Sequence, residues 1–148
     1  MSEKLVRLWN EIRAFISVFL NSLDREKRFV PYATRTFEHD FMDAAKKHPG
    51  MLADFSDFIR TFDPDRPLRG RNIQGTGVNK TDMKKNKRSA EYRIIYYHDS
   101  ESRVVVFLMM YPKNVKDNLN ADEIKALKQA VDKIKSGEIS LLPLFLNG

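Results

Sequence analysis

One stretch constrains this chain more than any other: "RVVVFLMMY", residues 103–111. A strand with one wet face alternates apolar and polar residues. Here Val104, Val105, Val106 and Phe107 follow one another without a break, which predicts a central strand covered on both faces. Just upstream, "YRIIYYH" reads as a second strand, and the polar "DSES" between them is short enough for an antiparallel hairpin. In such a pair the start of one strand lies beside the end of the next. The hairpin therefore brings Arg93 toward Tyr111, Lys113 and Asn114 at one end of the sheet.

The rest of the chain supplies the layers around that hairpin. Leu5, Leu8, Trp9, Ile12, Ile16, Phe19, Leu20 and Leu23 recur at helical spacing, predicting an amphipathic helix over about residues 3–23. Its stripe needs a partner: the domain itself or a second copy. "RFVPYATRT" reads as a short strand, with Pro31 placing it near an edge or a strand start. "FEHDFMDAAKKH" and "MLADFSDFIRTF" are two helices broken at Pro49-Gly50, with Phe37, Phe41, Leu52, Phe55, Ile59 and Phe62 facing inward. Thr36 with His39 and Asp40 gives a partial cap for the first. Asn120 with Glu123 caps a last helix whose buried face is Ile124, Leu127, Val131 and Ile134, and Gly137 ends it. The apolar tail "EISLLPLFLNG" carries no readable role. Strands segregated from helices imply an α+β fold with a small antiparallel sheet.

The chain has no cysteine, so disulfides, thiolate metal sites and cysteine nucleophiles are excluded. The apolar runs are too short to span a bilayer, and the N-terminus lacks the pattern of a signal peptide; the expectation is a cytoplasmic protein without a membrane partner. Between Arg60 and Arg93 there are ten basic and four acidic residues, an excess that equals the +6 of the whole chain. Such a block reads either as a surface for a polyanion, most simply nucleic acid, or as a solvated face.

Ile73-Gln74-Gly75-Thr76-Gly77, "KKNKRSAEYRIIYY", "RVVVFLMMYPKN" and "DNLNADEIKAL" follow one another in the order and spacing that resembles the RelE/ParE toxin superfamily, most closely its HigB-type branch. The resemblance covers about residues 28–135. It leaves residues 1–27 as an N-terminal helical extension and 136–148 as an apolar tail. It implies a toxin of a type II toxin-antitoxin system, a ribosome-dependent mRNA endonuclease that inhibits translation. The partners implied are a cognate antitoxin and mRNA on the ribosome, and the N-terminal helix offers a face for self-association. Neither a metal nor a cofactor is expected. Two rivals share the fold: a ParE-like gyrase inhibitor, and an inactive relative that only binds antitoxin or RNA.

Cutting RNA without a metal needs an acceptor for the 2′-OH proton, positive charge on the phosphate and an acid for the leaving 5′ oxygen. The expected catalytic set is Arg93, Lys84, Arg88, Tyr111 and Lys113. Arg93 would hold the phosphate with two N–H donors, and Tyr111 would stack a base or steer a proton. Lys80, Lys85, Lys87 and Asn114 are the expected RNA contacts. The plainer alternatives are an Arg93 paired with Glu91 or Glu101, a Tyr111 that belongs to the core, and one of Tyr96 and Tyr97 in the core. His39 and His98 have no metal-ligand spacing, and His98 is the histidine to test as a base.

Overall fold

A computed structural model describes residues 2–65, 72–73, 76–85, 89–115 and 119–146. Among them a six-stranded sheet runs in the order β2-β3-β4-β5-β1-β6: β1 is Val30–Ala33, β2 Asn72–Ile73, β3 Val78–Lys85, β4 Ser89–Asp99, β5 Val104–Pro112 and β6 Leu142–Pro143. The fold is α+β, as the sequence implies. β5 is interior, between β4 and β1, and Val105, Val106 and Phe107 are fully buried. One pairing departs from an all-antiparallel sheet: β1 runs parallel to β5, with Val30 opposite Val104 and Ala33 opposite Phe107. A strand buried on both faces must satisfy the backbone on both edges, and β1 supplies the second one. Pro31, which has no N–H, sits where β1's outer edge is covered only by the two residues of β6.

The unbroken apolar run of β5 follows from two cores. Ile94, Tyr96, Val105, Phe107 and Met110 face one way. There they meet α1 (Glu3–Ser22), α2 (Arg35–Lys47) and α3 (Met51–Thr61), through Trp9, Phe37, Phe41 and Phe55 among others. The rings interlock, with Phe37 5.5 Å from Phe107 and Phe41 5.2 Å from Phe55. Val78, Ile95, Val106, Leu108 and Tyr111 form the second cluster, closed by Leu127 and Val131 of α4 (Ala121–Lys135). Each large apolar side chain so buried contributes about 1.5–3 kcal/mol.

Helix α1 packs in the same core as α2 and α3. Leu5, Trp9, Ile12, Ile16 and Leu20 are buried, and the Trp9 ring stands edge-on to Phe41 at 5.4 Å. Its stripe is thus covered by the domain itself. The tail also has a place. β6 pairs with β1, Leu144 is buried in the first core, Arg13 of α1 donates to the Phe145 carbonyl, and the Leu146 N–H donates to Ser17 Oγ. The α4 cap is as expected, with a reciprocal Asn120–Glu123 capping box and Gly137 at φ +79° just beyond the helix. The α2 cap is not Thr36 but Thr34, whose hydroxyl accepts from the Phe37 N–H and donates to the Leu108 carbonyl. β1 ends at Ala33, so the turn into the helix falls two residues earlier than the acidic pattern suggests. No helix among the described residues is long and apolar enough to cross a membrane.

At the α2–α3 connection, Gly50 offers no side-chain cap. A buried pair pins the connection to the helix: His48 Nε2 meets Asp54 Oδ2 in the first turn of α3. Removing one partner strands the other inside. His48→Ala is therefore expected to cost roughly 3–5 kcal/mol in urea unfolding, far above a surface substitution.

Tyr96 gives a second expectation. Burial, reinforced by Asp63, pushes its phenol from the ordinary 10.0 up to about 12. Below the lower value both states keep the proton. Between the two, the unfolded chain ionises first, so stability falls as pH rises through this window. Urea unfolding from about pH 10 to about pH 12 should show a shallower loss for Tyr96→Phe than for the parent.

Candidate nucleic-acid site

The three long strands place three residues in one row. Asp82 of β3 is opposite Arg93 of β4, and Arg93 is opposite Tyr111 of β5. Directly opposed residues share a face and lie within reach of one another. Here that face is the one α4 covers, since Ile95 and Tyr111 both belong to its cluster. Arg93 is only 6% exposed. Its Nε donates to Asp82 Oδ1 at 3.2 Å, and Lys113 Nζ lies 4.0 Å from Oδ2 of the same carboxylate. A guanidinium that deep needs a counter-charge, because the bare ion would be costly to bury. Asp82 supplies it, and the carboxylate is flanked by two cations.

The sequence reading brings Arg93, Tyr111 and Lys113 together, and the structure adds Asp82, a partner of Arg93 which that reading does not name. Glu101 sits in the turn at the other end of the hairpin, Asp82 binds the guanidinium, and the side chain of Glu91 lies outside the described ones. Tyr111 is a core side chain, as the plainer alternative has it, and it stands opposite Arg93. Lys80 stands two residues before Asp82 on β3, opposite Ile95, and so shares the row's face. Lys84 is exposed further along β3, and Asn114 is exposed in the turn after β5. Lys85 ends β3. Lys87 and Arg88 lie outside the described residues. Tyr96 is the buried tyrosine of its pair, while Tyr97 takes the other face with Lys135 over its ring at 5.7 Å. His98 lies five residues along β4 from Arg93, about 16 Å at strand rise. Its Nε2 is 3.7 Å from Asp65, which also binds Arg103. It cannot act as a base beside Arg93. His39 is exposed next to Asp43.

Asp82 is the residue that sequence reasoning missed, and a bulge is the reason. Lys85 pairs with Ser89 and Lys84 with Ala90, a register that would put Asp82 opposite Tyr92. The slip between Met83 and Lys84 moves Asp82 by one and sets it against Arg93. One residue of register decides which face a side chain takes, and no sequence signal marks the slip.

Beside the row, α3 and β3 enclose a cavity of about 470 Å³ lined by Asp54, Asp57, Phe58, Arg60, Asp82 and Lys84 among others. Among the described residues no group of three or more His, Asp or Glu is placed to hold a metal ion. No family model matches the chain, and no curated protein matches it.

The Arg93–Asp82 pair is open to direct measurement. Asp82→Ala should cost about 3 kcal/mol of stability, because it takes the counter-charge from the buried Arg93 guanidinium, and Arg93→Ala less, because Lys113 still faces Asp82. The double variant should cost less than their sum by about 1–3 kcal/mol, read from a double-mutant cycle in urea.

Proposed function

We propose that this protein is a RelE/HigB-like toxin of a type II toxin-antitoxin system, a metal-independent endoribonuclease that cuts mRNA on the ribosome and is held in check by a cognate antitoxin. It would act in the cytoplasm, where translation occurs. The observation that carries the reading is the row at the end of the β4–β5 hairpin, an arginine flanked by a carboxylate, a tyrosine and a lysine on a rigid platform. Those are the groups that metal-free RNA cleavage requires. In the reaction Asp82 takes the proton of the 2′-OH. The 2′ oxygen then attacks phosphorus to form a 2′,3′-cyclic phosphate. Arg93 and Lys113 stabilise the charge on the pentavalent phosphate, and Lys113 gives a proton to the departing 5′ oxygen. Lys80, Lys84, Lys85 and Asn114 attract and steer the RNA backbone, a term that salt weakens.

One observation favours a second reading. Arg93 is buried and closed on Asp82, which suits a protein that binds antitoxin or RNA without cutting. For the first reading, that closure must open when RNA enters, and a substrate held by the ribosome is a means of opening it.

The test is tightly controlled expression with 5′ ends of cellular mRNA mapped, and DNA supercoiling followed in parallel. The parent is expected to cut mRNA and arrest growth. Asp82→Asn, which keeps the shape and removes the proton acceptor, should slow cleavage about 10²–10⁴-fold. Arg93→Lys should retain part of the activity, because lysine keeps the charge and loses the planar fork. A folded Asp82→Asn protein that cuts at the parental rate removes the proposed base. Intact mRNA with altered supercoiling moves the protein to the gyrase-inhibitor reading, and intact mRNA with unaltered supercoiling leaves the binding-only one.

A further inference from the structure

We propose that the groove between α4, β5 and the start of α2 is a binding site for an apolar carboxylate, a small molecule with a hydrocarbon body and one anionic end. The groove holds about 560 Å³, within the range of ligand pockets, roughly 300–1,000 Å³. It exists because one strand ends early and one helix carries small side chains. β1 pairs with β5 only as far as Ala33 opposite Phe107, so Leu108 and Met109 run on past the end of their neighbour. There the chain turns into α2, with the Thr34 cap held on the Leu108 carbonyl. From the other side α4 lines the gap with Ala126 and Ala130, about one turn apart, whose methyl groups leave it unfilled. Leu108, Met109, Leu127 and Ile139 complete an apolar wall. Water in such a groove finds few partners, and a hydrocarbon body displaces it favourably.

The polar part of the lining selects the charged end. Arg35 lines the groove, is exposed, and has no ion pair among the described residues. Its guanidinium offers parallel N–H donors, the arrangement that a carboxylate accepts two at a time. Thr36 beside it adds a hydroxyl. Both residues open α2, so the positive end of the helix adds to the same field. Glu123 is the acidic member of the lining, and its Oε1 already accepts the Asn120 N–H in the α4 cap. The charge left to offer is therefore positive, which disfavours an ammonium. The Glu123 carboxylate in turn disfavours a doubly charged phosphate, so a single negative charge fits best. None of this uses the Arg93 row or depends on the ribonuclease reading.

The test uses the full chain with hexanoate, octanoate and decanoate below their micellar concentrations, read by calorimetry and by NMR shifts. Decanoate should bind with shifts at Leu108 and Met109, along α4 and at the start of α2. Affinity should rise roughly fourfold for each methylene buried along the series. Ala130→Leu fills the groove with a good helix former, so it should abolish binding while the melting temperature stays near the parent's. Arg35→Gln should weaken decanoate about tenfold and leave decanol unchanged. No binding at millimolar decanoate, shifts confined to another surface, or undiminished binding by a folded Ala130→Leu protein overturns the inference. So does an affinity for decanol, decylammonium or decyl phosphate equal to that for decanoate.

Discussion

The fold is arranged around β5, a strand buried on both faces from Val105 to Leu108 and paired along both edges over its first half. Both faces are apolar, so both need a cover: α1, α2 and α3 on one side, α4 on the other. Both edges carry backbone donors and acceptors, so both need a strand. β4 takes one edge through the hairpin turn, and β1 is drawn in parallel on the other. The parallel pairing is thus a consequence of burial. It forces the chain to travel through α2 and α3 before it returns to the sheet, and those helices arrive over the face that Phe107 presents.

The candidate site lies at the end of that platform where the strands are still in register but the core is running out. Arg93 is too deep to be a free surface cation. Its charge is tolerable because Asp82 is beside it, and Asp82 in turn has Lys113 on its second oxygen. Asp82 is the anion between two cations in this unit, so its removal takes the same counter-charge from both. A phosphate entering the unit would exchange one anion for another, so the cations would not have to move far.

Much of this was legible beforehand, and the limits have physical causes. The helices and the central hairpin are visible because their periodicity is long and regular, from Leu5 to Leu20 and from Val104 to Tyr111. Arg93, Tyr111 and Lys113 could be brought together because a hairpin's two ends are fixed by its turn. Asp82 could not, because its position depends on a one-residue bulge in the preceding strand. The Thr34 cap was displaced from Thr36 for a tertiary reason, since its hydroxyl also reaches the Leu108 carbonyl on β5. The tail gave no local signal, because β6 is two residues long and exists only against β1.

The contact between α1 and that tail sets the order in which the chain can fold. Arg13 reaches Phe145 and Ser17 reaches Leu146 across almost the whole sequence. β1 likewise waits for β5, some seventy residues later. Contacts so distant form slowly, because a long loop must close before they repay its entropy. The β3–β4 and β4–β5 pairs need only short turns and can form first. The row of Asp82, Arg93 and Tyr111 is then an early structure, and the scaffold that rigidifies it is late. During synthesis β1 is an open edge for most of the time the chain is being made, and that interval is when this protein is most exposed to pairing with the wrong strand.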